Sequence, residues 1–511
     1  MKINQVKFGA VMTYVSYALS VLLGLVSTPM LQRHLGENEF GVYQLVLPVV
    51  SMLTVLTFGL GSVYTRYYSI YKTNGETDKM AKLNGLFIVM YSIIGAVAIA
   101  IGFGLSAVFE SIFPNVTAEY VPLAKTLLRL MAVNMGLSFP VYVFTSHIVV
   151  NEAYVFQKTV AALKMVLNPT LTMVLVVLGF RSVAVTVLAI ALTVSVGIAD
   201  VIYCFKKLKM PVAFGRMEQG FFKEILVFTS FVFLSNLVGE LDWNSDRVIL
   251  GMFAGSAAAD AEVEVGLYSN PAQLNIYFMS LATMLTNVFV PRAHRLIAGG
   301  RPDREVSDLF IKVGRLQYMM MITILIGFIA IGEGFMQYYT AGIYDPHRSY
   351  IIALVLMIPT IIPSVQNLGI EIQQAKNKHR FRAIAYAIVA VANIAVSIPL
   401  SMLWGGLGAA IGTGITTFVG KGVLMNWYYR RHIGLEIGRF WKEIGRITAA
   451  MGVPLVAAVA IAVFADTSSV MRFVLWGIPV VILEAVCLWC FAMTKDDREQ
   501  IAGPLLRRLK R

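Results

Sequence analysis

Residues 83–108 read LNGLFIVMYSIIGAVAIAIGFGLSAV, with no charged side chain from Leu83 to Val108. About twenty apolar residues suffice for a helix to cross the hydrocarbon core of a bilayer, so this run is longer than one crossing needs. Blocks of the same kind recur outward from it in both directions. Over the 511 residues, 58% are hydrophobic and 14% charged, and the mean hydropathy is +0.72. An average soluble domain carries about 25% charged residues. Twenty-nine acids and 42 bases cannot cover the several soluble domains that a chain of this length would form. A soluble enzyme, a secreted disulfide scaffold and a disordered chain are therefore excluded. No strand-like alternation is present, and an α-helical bundle is the spanning solution that remains.

Hydropathy with polar breaks predicts an all-α polytopic membrane protein of about fourteen spans. The first six lie near 8–32, 41–70, 82–108, 122–149, 158–179 and 183–205. Six more lie near 222–254, 266–290, 309–333, 349–370, 382–403 and 407–429, and a last pair near 447–465 and 471–493. The run after Lys2 and Lys7 is too long for a signal-peptide core and reads as an uncleaved first span. The formal charge of +13 does not mark a nucleic-acid-binding face. The bases instead fill every second loop, including Lys72 and Lys79, Lys206, Lys207 and Lys209, Arg292, Arg295, Arg301 and Arg304, Lys376, Lys378 and Arg380, and the tail from Lys495 to Arg511. The opposite loops hold little beyond Arg33, Arg181, Arg348 and Arg472. The positive-inside rule then places both termini in the cytoplasm. Cys204, Cys487 and Cys490 all lie in apolar stretches and imply no disulfide framework. The six histidines have no metal-ligand spacing, and no metal or cofactor is expected.

The chain also repeats itself. Phe40-Gly41-Val42-Tyr43 opens span two and Val265-Gly266-Leu267-Tyr268 opens span eight, with Gly41 and Gly266 225 residues apart. Asn168 and Asn393 keep the same offset, and Pro140 and Pro363 nearly so. Phe221-Phe222-Lys223-Glu224-Ile225 follows span six, and Phe440-Trp441-Lys442-Glu443-Ile444 follows span twelve. These landmarks predict two six-helix bundles in parallel repeat, at 1–205 and 222–429. Each is closed by a basic amphipathic linker, 206–221 and 430–446, with an extra helix pair at 447–493 and a basic tail at 494–511. Two such bundles rocking about a central cavity are the physical basis of alternating access.

Charges inside spans are costly, at least about 2.5–3.5 kcal/mol each, and so ask for a reason. Arg66 sits near the cytoplasmic end of span two, and Lys125 and Arg129 lie one turn apart in span four. Lys164 is in span five, Arg247 in span seven and Lys421 in span twelve; the acids include Asp200, Glu240, Asp242, Asp246 and Glu484. One reading is a water-filled cationic cavity in which Arg66, Lys125, Arg129, Lys164 and Arg247 hold a phosphate or pyrophosphate. Asp242 and Asp246 would then bind a coupling H+ or Na+. The other reading has these bases paired with nearby acids or snorkelling to headgroups. Asn84, Asn134, Asn168, Asn236 and Asn393 either line the cavity or bond between helices. No loop is long enough for a catalytic domain, and there is no Walker A motif and no nucleophile elbow, so transport rather than an enzyme is expected.

The 6 + 6 + 2 layout resembles the multidrug/oligosaccharidyl-lipid/polysaccharide (MOP) exporter superfamily, and within it the Wzx-type polysaccharide flippases. The residues carrying the resemblance are Leu35-Gly36-Glu37-Asn38-Glu39-Phe40-Gly41-Val42-Tyr43, Phe58-Gly59-Leu60-Gly61 before Arg66-Tyr67, Asp246-Arg247-Val248-Ile249-Leu250-Gly251, Val265-Gly266-Leu267-Tyr268 and Pro291. The resemblance implies a bacterial cytoplasmic membrane protein that flips a polyprenyl-pyrophosphate-linked oligosaccharide, with a polysaccharide polymerase and glycosyltransferases as partners. It also implies a cationic lumen for the pyrophosphate and a lateral groove at the extra helix pair for the isoprenoid tail. A lipid II flippase of the same superfamily would carry arginines within span one, where this chain has none between Phe8 and Gln32. A cation-coupled multidrug exporter would pair an acidic N-terminal half with few buried bases.

Overall fold

A computed structural model of the chain describes residues 5–215, 221–254, 260–378, 380–467, 469–494 and 497–498. Arg216, His379, Lys495, the basic tail beyond Arg498 and part of the linker 206–221 lie outside the described residues. The described chain is all helical, without strands. Among the described residues twelve helical segments are long and apolar enough to cross a membrane, or thirteen if the bent pair Ile437–Ala450 and Gly452–Phe464, angled at 53°, makes one span. The segment expected as span seven falls on the 33-residue helix Phe221–Phe253, several of whose side chains lie outside the described residues.

The chain folds into two compact units, residues 1–269 with 401–406, and residues 270–400 with 407–511. Sequence places a boundary in the linker at 206–221, whereas these units divide within one helix at Ser269. The first unit contains α1 (Gln5–Leu35), α2 (Glu37–Ser51), α3 (Leu60–Thr73), α4 (Thr77–Ala107) and the short α5 (Phe109–Ile112). It continues with α6 (Val121–Val150), α7 (Tyr154–Val177), α8 (Ser182–Lys206), α9 (Phe221–Phe253) and the start of α10 (Ala261–Ala298). Contacts of α9 explain why it stays with this unit. The Phe58 and Phe233 rings stack at 4.8 Å, and Glu240 accepts from Thr54 Oγ1 at 3.0 Å.

Close helix approach in this unit depends on residues without bulk, as expected where lipid supplies no hydrophobic drive between helices. A Cβ on Gly95 of α4 would strike the Gly136 carbonyl of α6, and one on Gly102 would strike Ala132. The described part of the first linker runs along the start of α4. There Asn84 Nδ2 donates to Pro211 O at 2.7 Å, and Ala213 N to Ala81 O at 3.0 Å.

The second unit holds the rest of α10, α11 (Asp303–Tyr339), α12 (Pro346–Ser364), α13 (Asn367–Ala375) and, apart from residues 401–406, α14 (Arg380–Trp404) and α15 (Gly406–Thr416). A wide-turn segment then leads to α16 (Met425–Tyr428), α17 (Ile437–Ala450), α18 (Gly452–Phe464) and α19 (Val470–Cys487). The core of this unit packs along α11, where Phe310, Met321 and Ile326 are buried with Tyr429 and Phe440. Ile437, Phe440, Ile444 and Ile447 bury one face of α17 at helical spacing, the amphipathic pattern expected of the second linker. Asn393 is buried and accepts from Ser397, Thr413 and Thr416 hydroxyls at 3.1–3.2 Å. It bonds between helices here, while Asn168 is exposed.

Candidate functional site

The second span is not one helix. α2 ends at Ser51, a tight 3₁₀ turn covers Met52–Thr57, and Phe58 and Gly59 adopt left-handed backbone (φ 49 and 68) before α3 begins. Pro48 has no N–H to donate in the last turn of α2, which weakens the helix just before the break. A left-handed Phe58 costs about 1–2 kcal/mol, offset by its stacking on Phe233. Gly59 is needed for a second reason, since a Cβ there would collide with Val232 of α9. Irregular backbone at membrane depth is tolerated where it is enclosed by protein or lines a wet cavity.

Such a cavity adjoins the break. It measures about 470 Å³ and is lined by Thr54, Thr57 and Gly61 around the break, Tyr142 and Ser146 of α6, and Asn236, Gly239, Glu240 and Trp243 of α9. The four α9 residues fall at i, i+3, i+4 and i+7, one face of the helix. Tyr142 and Ser146 share a face of α6 in the same way. Glu240 Oε1 accepts from Thr54 Oγ1 at 3.0 Å. Its Oε2 accepts from Asn244 Nδ2 at 2.8 Å and Ser51 Oγ at 3.3 Å. The acid therefore ties α9 to the broken segment. Of the nine lining residues one is an acid and none is Lys, Arg or His. Hydroxyls, an amide and two large aromatic rings supply the rest. This chemistry can hold a polyhydroxylated ligand or an organic cation, and it does not suit a free anion.

None of Arg66, Lys125, Arg129, Lys164, Arg247, Asp242 and Asp246 is among the lining residues. Arg66 is exposed on α3, its guanidinium 5.9 Å from the centre of the Tyr67 ring. Lys125 Nζ lies 2.6 Å from Glu110 Oε1 in a largely exposed pair. Arg129 Nε donates to Ser106 Oγ at 2.7 Å, with its guanidinium 5.9 Å from the centre of the Phe103 ring. Lys164 Nζ donates to Thr193 Oγ1 at 3.2 Å. Lys125, Arg129 and Lys164 are thus each held by a separate partner rather than gathered into one cluster. Arg247 follows Trp243 by one turn on the same face of α9, near Asp246 and Tyr268. The buried Asp246 accepts from the Tyr268 hydroxyl at 2.5 Å, and Asp242 is half-buried. Among the described residues no His, Cys, Asp and Glu group is placed to hold a metal ion.

Asn236 and Glu240 stand out in the sequence as polar residues within a span, whereas Thr54, Thr57, Tyr142, Ser146 and Trp243 do not. The signal that finds them is the interrupted second span, Pro48 followed by Phe58-Gly59-Leu60-Gly61. Discontinuous helices mark binding sites in many membrane transporters.

Fold and site define a multi-span membrane protein built on broken helices around a polar cavity. Residues 7–297 match the model of the family described as polysaccharide biosynthesis protein, and the chain belongs to that family. It is 23% identical over 431 residues to the "Putative O-antigen transporter" of Shigella flexneri, covering 81% of this chain and 95% of that one. It is 22% identical over 512 residues to the uncharacterized membrane protein EpsK of Bacillus subtilis (strain 168), covering 97% of each. Its fold is that of the lipid II flippase MurJ in an inward closed conformation, with a TM-score of 0.74 at 14% identity over 94% of this chain and 99% of that one. An inward-facing multidrug resistance MATE family transporter of the MOP superfamily gives a TM-score of 0.69 at 14% identity, over 83% and 96%. The resemblance carried by the Phe40–Tyr43 and Phe58–Gly61 motifs is borne out. Those of these proteins that are named for an activity are named as transporters or a flippase, and the expectation of transport rather than catalysis holds with them.

Proposed function

We propose that the protein is a flippase that carries a polyprenyl-(pyro)phosphate-linked oligosaccharide across the cytoplasmic membrane by alternating access. Family membership supports this reading, and one observation carries it. The cavity beside the break of span two offers hydroxyls, an amide, a carboxylate and two aromatic rings, the groups that bind sugars. The lipid tail would remain in the bilayer while the sugar crosses. Arg247, one turn beyond Trp243 on the same face, and Arg66 on the helix that carries Gly61 are the bases assigned to the diphosphate in this reading. Arg129 and Lys164 would meet it along the path, and Lys125 at the rim. Asp242 and Asp246 would take up a coupling H+ or Na+.

Two parallel repeats with both termini cytoplasmic are part of the same proposal. A matching pair of helix clamps supports the repeat. Glu39, in the first turn of α2, accepts from the backbone N–H of Ser182 that opens α8, at 2.9 Å. Glu264, near the start of α10, accepts from the N–H of Gly406 that opens α15, at 2.8 Å. Each acid stands two residues before the glycine of its motif, Gly41 or Gly266.

A cation-coupled multidrug exporter is the second reading, favoured by an acid beside Trp243 and Tyr142, which would also suit an organic cation. Deleting the gene and restoring it with wild type, Arg129→Ala or Arg129→Lys separates the two. The flippase reading expects loss of surface glycan and accumulation of lipid-linked intermediates without the protein, with Arg129→Lys rescuing better than Arg129→Ala. Intact surface glycan together with lowered drug resistance overturns it.

A further inference from the structure

The cavity beside span two carries a charge opposite to that expected for a pyrophosphate lumen, and its geometry states what sort of sugar it would accept. Glu240 is its one acid, and no base lines it. A carboxylate offers about four acceptor sites. Asn244 donates to one of them, and the Thr54 and Ser51 hydroxyls approach two more while each also lies within reach of a backbone carbonyl, which leaves at least one site, on Oε1, for a donor brought by a ligand. Trp243 is 51% exposed and Tyr142 39%, so both rings keep uncovered surface to lie against the C–H face of a pyranose. Thr57, Ser146 and Asn236 add donors and acceptors around that surface.

We infer that this cavity selects the charge class of the sugar it holds: it accepts neutral or N-acetylated sugars and rejects those bearing a carboxylate. This rests on the flippase reading. A ligand hydroxyl or amide N–H can donate to the remaining Glu240 oxygen site. A uronate there would instead set two carboxylates a few ångströms apart in a partly desolvated pocket with no base in the lining, which is strongly repulsive. The helix also separates the two ends of the substrate. Glu240 and Arg247 lie seven residues apart on one face of α9, about 10 Å along its axis. A neutral sugar at Glu240 and a diphosphate toward Arg247 would therefore give the head group a fixed direction.

The test is calorimetric titration of the full-length protein in lipid nanodiscs with cellobiose, di-N-acetylchitobiose, digalacturonic acid and tetraphenylphosphonium. Cellobiose and di-N-acetylchitobiose are expected to bind at millimolar concentration, and digalacturonic acid at least about tenfold more weakly. Glu240→Gln, nearly isosteric, should remove most of that difference, and Trp243→Ala should weaken every sugar. Equal binding of digalacturonic acid, a difference that survives Glu240→Gln, or binding of tetraphenylphosphonium alone would overturn the inference. So would failure of both uncharged disaccharides to bind. Surface glycan in cells carrying Trp243→Ala keeps the two readings apart. Discrimination in vitro with export unaffected stands against the flippase and leaves the sugar site intact. Export lost without discrimination stands against the charge selection alone.

Discussion

Glu39 is only 4% exposed, yet its carboxylate accepts three hydrogen bonds from one spot on the chain. It accepts from Arg181 Nε at 2.6 Å, and from Ser182 N at 2.9 Å and Oγ at 2.6 Å, while Arg181 also donates to Leu35 O at 3.0 Å. The energetic weight lies with the serine donors. The Arg181 side chain is 61% exposed, and water screens most of what its charge would add. The Ser182 groups are buried and open α8, where a helix leaves N–H groups without partners of their own. Glu39→Ala should therefore lower stability by about 2 kcal/mol, the sum of a lost helix-start acceptor and an unsatisfied buried donor. Glu39→Gln, which keeps one acceptor oxygen, should cost less. Thermal unfolding midpoints in one detergent at one scan rate check this, and an unchanged midpoint for Glu39→Ala rules it out. Glu39 is visible in the sequence as part of Leu35–Tyr43, but its partners lie over 140 residues away, and no local pattern announces them.

Helices of this chain were legible because twenty apolar residues in a row leave few alternatives; how they pack was not. Between α4 and α6 the contact is backbone against backbone, with Gly136 closing on the Gly95 carbonyl as Gly95 closes on that of Gly136. Gly104, two and a half turns further along α4, meets nothing within 4 Å of where a Cβ would stand. The same substitution should then have opposite signs on one helix. Gly95→Ala would push the pair apart and cost about 1–3 kcal/mol. Gly104→Ala would gain about 0.5–1 kcal/mol of helix preference, because nothing opposes the added methyl. Comparing the two midpoints with wild type decides it, and equal shifts would show that α4 and α6 do not depend on this approach. The broken second span belongs to the same scale. Its Pro48 and Gly59 were in view, but a proline or glycine inside an apolar run can equally serve helix packing, so the cavity came into sight only with the three helices that enclose it.

At the scale of the whole molecule, the sequence carried two long-range signals, the 225-residue repeat and the alternation of basic and acid-rich loops. Both are sums over many residues, so neither depends on where any single side chain points. The bases Lys125, Arg129 and Lys164 looked alike as charges within spans. In the structure Glu110, Ser106 and Thr193 hold them apart, because a side chain's direction depends on neighbours that hydropathy does not record. Loop charge and repeat together make a joint prediction that neither makes alone. If insertion follows the positive-inside rule, the loop after α3 faces the cytoplasm and the loop before α6 faces outward. If the halves are parallel repeats of six spans, the loop before α11 matches the first of these and the loop before α12 the second. In a chain with Cys204, Cys487 and Cys490 replaced by serine, single cysteines at exposed Asn74, Glu119 and Arg301 and at half-buried Arg348 sample all four. A membrane-impermeant maleimide applied to intact spheroplasts should label Glu119→Cys and Arg348→Cys, with Asn74→Cys and Arg301→Cys reacting only after lysis. Labelling of Asn74→Cys in place of Glu119→Cys would reverse the orientation. Labelling of Glu119→Cys together with Arg301→Cys would instead mean inverted halves and overturn the parallel repeat.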